Sequence, residues 1–202
     1  MLFRSGLNDS DTVVALLPGS RGGELRDVAP IFLQAAVLLQ RRRSDLRFVL
    51  PAASGRREAL QALLQAHAPQ LPVQLLEGRS HDALAACDVT LIASGTATLE
   101  AALFKRPMVI GYRAHWLNAM LFNRMSYLPY VGLPNILCRE FVVPELLQEA
   151  CQPTALADAV LAQLDDAVRA ERLHARFTEL HLQLRRDTAG RATDAIAKIL
   201  KA

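Results

Sequence analysis

Five short runs rich in valine, isoleucine and leucine recur along the chain: TVVALL (12–17), LRFVLP (46–51), VQLL (73–76), VTLIAS (89–94) and PMVIGY (107–112). Their apolar character is nearly continuous, not alternating, so strands formed from them must be buried on both faces. Between them lie longer segments of helical periodicity, such as VAPIFLQAAVLLQRRR and REALQALLQAHA. Strands that alternate with helices and hide both faces build a parallel sheet covered on two sides. The expected fold class is α/β, a doubly wound Rossmann-like parallel sheet. After Pro144 the periodicity predicts helices to the end, through ELLQEAC, TALADAVLAQLDDAV and LHARFTELHLQLRR.

At 202 residues, 51% of them hydrophobic, the chain suffices for one well-buried domain and is short for two. The opening MLFRSGLNDSD lacks the apolar core and small-residue cleavage site of a secretory signal and reads as a linker scar or an internal start. Residues 1–11 are therefore expected to be linker and residues 12–202 the domain, with its terminal helices from about residue 145. No stretch approaches the ~20 apolar residues of a spanning helix, which points to the cytoplasm. Cys87, Cys138 and Cys151 are odd in number without C-x-x-C spacing, which argues against a disulfide scaffold or structural zinc. Cys87 reads as a small buried hydrophobe.

A net charge of +3, carried mostly by arginine, suits bidentate recognition of phosphate. Nucleic-acid binders cluster such charge among stacking aromatics. Here it is dispersed and aromatics are 5%, which favours a small phosphorylated ligand or an anionic membrane surface over nucleic acid. The run Arg41–Arg43 closes a helix, where cations favour the dipole, and Asp165-Asp166 reads as an exposed helix end.

Chemistry concentrates in two stretches. In ALLPGSRGGELRD (15–27) a strand breaks at Pro18 into Gly19, Ser20, Arg21, Gly22 and Gly23, and a helix follows. This is neither a G-K-[ST] phosphate loop nor a G-x-G-x-x-G fingerprint. The physics is related nonetheless. Glycines let main-chain amides approach an anion, the helix points its positive end there, and Arg21 can add a charged fork. An ordinary strand-to-helix turn is the plain alternative.

In LIASGTATLEAALFKRPMVIGY (91–112) a strand ends at Ser94-Gly95-Thr96 and a helix begins, making a second anion cradle. Ala97 occupies the position from which a Ser or Thr would engage Glu100 in a capping box, so Glu100 is free for another partner. A carboxylate beside a phosphate site suits the paired hydroxyls of a ribose. The alternative is a glutamate placed for the helix dipole.

Taken together, LLPGSR (16–21), SGTATLEAAL (94–103), PMVIGYR (107–113), LPN (133–135) and ELLQEAC (145–151) resemble the lipid-A-disaccharide synthase family of GT-B glycosyltransferases. The resemblance runs from residue 12 to about residue 185 and implies the C-terminal, donor-binding half of a GT-B fold. It implies an inverting transfer that joins UDP-2,3-diacylglucosamine to 2,3-diacylglucosamine 1-phosphate, in lipid A biosynthesis of Gram-negative bacteria, and releases UDP. Gly19, Ser20 and Arg21 with Ser94, Gly95 and Thr96 would hold the diphosphate. Glu100 would hold the ribose, Asn135 would line the donor site, and EGRS (77–80) would meet the uracil. Arg21 would stabilise the departing UDP.

The resemblance implies no cofactor and no metal, in keeping with the lack of a D-x-D or His/Asp cluster. It also implies an N-terminal half outside these residues that binds the acceptor and supplies the general base, without which no turnover is expected. Further expected partners are an anionic membrane surface at the cytoplasmic side of the inner membrane and a second copy of the chain. A donor domain of another UDP-sugar GT-B enzyme and a non-catalytic UDP-binding module remain alternatives. HWLNAMLFNRMSYLPY (115–130) reads either as an interfacial helix against the membrane or as a core helix. His174 and His181 lack acidic or cysteine companions and read as surface or packing residues.

Overall fold

A computed structural model describes residues 7–8, 10–113 and 128–200. Five strands alternate with helices: β1 (Thr12–Leu17), α1 (Gly22–Arg42), β2 (Leu46–Ala52), α2 (Arg57–His67), β3 (Val73–Glu77), α3 (Ser80–Ala86), β4 (Val89–Ala93), α4 (Thr96–Leu103) and β5 (Met108–Tyr112). Then come α5 (Leu133–Cys138), β6 (Glu145–Leu147), a 3-10 turn, α6 (Pro153–Asp165), α7 (Ala167–Leu184) and α8 (Thr188–Leu200).

The six strands form one sheet in the order β3-β2-β1-β4-β5-β6. Every pair is parallel. The chain winds outward from β1 to β3, then crosses back to lay β4 on the other side of β1. Amide and carbonyl groups that open between β1 and β4 therefore face helices leaving in opposite directions, the topological switch point of a doubly wound sheet.

Why the strands are apolar throughout is visible in β1. Val14 and Leu16 enter one core layer with Phe32 and Leu39 of α1, Phe48 and Leu50 of β2, and Leu156 and Val160 of α6. Val13, Ala15 and Leu17 enter the other with Leu84 of α3, Ala101 of α4, and Leu173, Phe177 and Leu180 of α7. Successive side chains point to opposite faces, and both faces are dry. Phe177 is wholly buried; truncating such a ring costs roughly 3–5 kcal/mol through lost transfer energy and a residual cavity.

The terminal helices differ in one place from the expectation. ELLQEAC is not helical: Glu145–Leu147 pair in parallel with β5, in the register Ile110↔Glu145 to Tyr112↔Leu147. The 3-10 turn Gln148–Ala150 then leads into α6. Three residues carry too little periodicity to separate strand from helix, and the open edge of β5 decides between them.

The helix ends are more than solvated termini. Arg42 pairs with Asp158, and Arg43 reaches both Asp45 at 2.7 Å and Asp165 at 3.3 Å, tying α1 to α6. Asp166 caps α7 by accepting the Arg169 amide at 2.8 Å. Residues 115–127 of the aromatic segment lie outside the described residues. Among the described residues no helix is long and apolar enough to cross a membrane.

Candidate functional site

Where β1, β2 and β4 end, a cavity of about 460 Å³ opens. Gly19, Ser20, Arg21 and Glu24 line it from the β1–α1 corner, and Ser94, Gly95, Thr96, Ala97 and Glu100 from the β4–α4 corner. Pro51, Ala52 and Ala53 contribute from the end of β2, and Gly78 and Ser80 from the β3–α3 passage. Of the expected site residues, Gly19, Ser20, Arg21, Ser94, Gly95, Thr96 and Glu100 are thus brought together. Two residues of the EGRS segment join them.

Both corners depend on glycine. Gly19 sits at φ 103° and Gly95 at φ 152°, a range that L side chains rarely adopt. Those dihedrals turn the chain sharply enough to start α1 and α4 at the cavity mouth. Each helix begins with amides that have no partner within the helix, and its dipole favours negative charge there. Arg21 is the N-cap of α1 and Gly95 that of α4. Thr98 stiffens the second corner: its Oγ1 donates to the carbonyl of Gly95 at 2.7 Å.

The first corner is held by Glu24. Its Oε2 accepts the amides of Ser20 at 3.0 Å and Arg21 at 3.2 Å, and its Oε1 accepts Nη1 of Arg21 at 3.2 Å. Sequence reasoning passed over Glu24. An acid at the third position of a helix whose turn is otherwise uncapped was the available signal. His81, on α3, was missed as well. Its Nε2 lies 3.3 Å from Oε2 of Glu100, and its ring packs on Phe104 with centroids 5.6 Å apart. No local pattern announces that contact, because the partners belong to different βα units.

Asn135 is not among the residues lining the cavity. It is fully buried at the start of α5. Nδ2 donates to the Val143 carbonyl at 2.9 Å and to Glu145 Oε1 at 2.7 Å, while Oδ1 accepts the Val143 amide at 3.0 Å. A buried amide must find such partners, and these occupy it. Glu145 in turn accepts the amides of Val131 and Gly132, both at 2.8 Å. The Val131 carbonyl stands 3.5 Å from Ser94 Oγ, the outer limit of a hydrogen bond.

Among the described lining residues Arg21 is the one cation, against the carboxylates of Glu24 and Glu100. Main-chain amides and helix ends must supply much of the attraction for an anion. Hydroxyls of Ser20, Ser80, Ser94 and Thr96 add neutral donors. None of the three cysteines lines the cavity, and burial pushes the Cys87 thiol up to about 12 and the Cys151 thiol to about 11, so they stay protonated and inert. Lys105 Nζ and His181 Nδ1 meet at 2.8 Å, so His181 packs α7 against the turn that follows α4.

The family model for lipid-A-disaccharide synthetase matches residues 4–200. The chain belongs to that family. A lipid-A-disaccharide synthase of Burkholderia thailandensis is 52% identical over 196 residues, which is 96% of this chain and 50% of the relative. One from Albidiferax ferrireducens is 50% identical over 200 residues, 97% of this chain and 51% of the relative. The chain therefore spans about half the length of the curated synthases it matches.

Solved structures outside the synthase family share the fold at low identity. The catalytic domain of the cholesterol-α-glucosyltransferase from Helicobacter pylori superposes with a TM-score of 0.57 at 12% identity, covering 85% of this chain and 99% of its own. The UDP-GlcNAc 2-epimerase of Neisseria meningitidis bound to UDP-GlcNAc gives 0.58 at 12% identity, over 83% and 40%. The expected Rossmann-like α/β fold with terminal helices is the fold this synthase-family chain has.

Proposed function

We propose that these residues form the donor-binding half of a lipid A disaccharide synthase. In this reading the family's inverting reaction joins UDP-2,3-diacylglucosamine to 2,3-diacylglucosamine 1-phosphate and releases UDP. The observation that carries the reading is the convergence of the Gly19–Arg21 and Ser94–Glu100 corners, from separate βα units, on one cavity at the switch point of the sheet.

The diphosphate lies between the two helix N-termini, with amides of both corners as donors and Arg21 as the counter-charge. As the glycosidic bond to UDP breaks, negative charge grows on the β-phosphate, and donors already in position stabilise it without reorganisation. Glu100 accepts the ribose hydroxyls, steadied by His81. The uracil lies toward Gly78 and Ser80. Asn135 acts indirectly, holding the 131–145 segment behind Ser94. The reading assigns no cofactor, because the UDP-sugar is substrate and leaving-group charge falls to amides and a guanidinium.

A second, N-terminal half supplies the acceptor pocket and the general base, so this chain alone holds donor and does not turn over. Acylated substrates place the enzyme at the cytoplasmic face of an anionic membrane as a peripheral protein. Calorimetric titration with UDP, UDP-N-acetylglucosamine and the acylated donor tests this. Binding of UDP with preference for the acylated sugar supports it, and no affinity for any of the three rejects it. Recovered turnover on mixing with a separate N-terminal half tests the division of labour.

A further inference from the structure

The hydrogen bonds of Glu24 are those a phosphate would make. Two consecutive amides at a helix N-terminus, from Ser20 and Arg21, and the Arg21 guanidinium all converge on its carboxylate within 3.2 Å. The Glu24 side chain is only 15% exposed whereas that of Arg21 is 85% exposed. The carboxylate thus sits beneath the guanidinium, inside the turn. Gly19 leaves it that space: a Cβ there would lie 2.8 Å from Cβ of Glu24 and closer still to its carboxylate. Gly22 and Gly23 carry no such demand, since a Cβ on either would meet nothing within 4 Å.

We infer that Glu24 is a resident anion, a carboxylate occupying the donors that the nucleotide's diphosphate needs. Binding at this corner is then an exchange. The amides of Ser20 and Arg21, with the Arg21 guanidinium, pass from carboxylate to phosphate and return to Glu24 when UDP departs. The inference rests on the nucleotide reading above and adds a residue to it. The charge balance of the cavity supports such an arrangement. The one described cation lining the cavity is already paired, and a second carboxylate, Glu100, faces the same space. With Glu24 in place, the turn keeps its shape without ligand and UDP meets a competitor that speeds its release.

A purely structural cap of the Ser20 and Arg21 amides needs only one acceptor oxygen, which glutamine supplies, although its NH2 cannot accept from Arg21 as Oε1 of glutamate does. A resident anion needs the charge. Glu24→Gln therefore separates the two roles. In titrations of the 202-residue chain, E24Q is expected to bind UDP and inorganic pyrophosphate roughly fivefold more tightly than wild type, the worth of one like charge removed at close range in water. Uridine, which has no phosphate, is expected to bind both proteins equally. Equal or weaker binding of UDP and pyrophosphate by E24Q overturns the inference and leaves the nucleotide site standing.

A second measurement uses the unmodified chain. In amide NMR spectra the Ser20 and Arg21 signals and the Glu24 side-chain carboxyl carbon are expected to shift together as pyrophosphate is added. Binding of pyrophosphate with all three unmoved overturns the exchange. A wild-type chain that binds neither UDP nor pyrophosphate overturns the nucleotide reading and this inference together.

Discussion

Arg21, at the N-cap of α1, and Glu100, one turn into α4, line the same cavity although they stand in different βα units. Parallel pairing of β1 with β4 produces that proximity: the strands run side by side from Val14↔Val89 to Leu17↔Ile92, so their following corners open together. A ligand with an anionic centre and vicinal hydroxyls can span the pair. Arg21→Ala and Glu100→Ala are each expected to weaken UDP binding by roughly 1–3 kcal/mol, the worth of a lost charged hydrogen bond. Calorimetry on the two variants checks this, and unchanged affinity in both rejects the assignment.

The glycines at the first corner are not equivalent. Gly19→Ala forces a side chain onto positive φ and into Glu24. It is expected to lower stability by roughly 1–3 kcal/mol in urea unfolding. Gly23→Ala, in the first turn of α1 with open space around it, is expected to match wild type or exceed it by up to about 1 kcal/mol. Equal losses in both variants would mean that the turn, not the Glu24 seat, sets the requirement.

Asn135→Ala leaves the amide and carbonyl of Val143 buried without their partner. Each unpaired group is expected to cost roughly 1–3 kcal/mol, seen as a lower thermal midpoint. Because Asn135 does not line the cavity, UDP affinity of the folded variant is expected to fall far less than in Arg21→Ala. A loss of affinity without a loss of stability would place Asn135 at the ligand instead.

Burial raises the thiols of Cys87 to about 12 and of Cys151 to about 11 in the folded chain, above their unfolded values near 9. Between those limits the unfolded chain binds fewer protons than the folded one, so stability falls as pH rises. The contribution is fully present below about pH 9 and is lost progressively between about 9 and 12. Urea unfolding across that range is expected to show the decline, with a shallower slope for Cys87→Ala. At neutral pH a thiol reagent is expected to modify these two cysteines only after unfolding.

Much of the architecture was legible because burial on two faces leaves a local trace: runs such as TVVALL and VTLIAS have one structural solution when helices lie between them. The glycine corners were legible for the same reason, since Gly19 and Gly95 mark backbone that other residues cannot follow. What escaped was set by pairing across the chain. Glu145–Leu147 became a strand through the edge of β5, and His81 met Glu100 because α3 and α4 share one side of the sheet. Asn135 sits in a family-like motif, yet its amide is taken by Val143 and Glu145, a use of hydrogen bonds that no motif specifies. Glu24 was hidden by its own turn, where a capping acid and an anion competitor look alike in one dimension.

A crystal structure of the chain grown with UDP tests the central claim most directly. The account predicts the diphosphate between the Gly19–Arg21 and Ser94–Ala97 corners, main-chain amides of both within hydrogen-bond distance, and the ribose hydroxyls on Glu100. UDP bound elsewhere on the sheet, or with its ribose at one corner and its phosphates away from both, would contradict it.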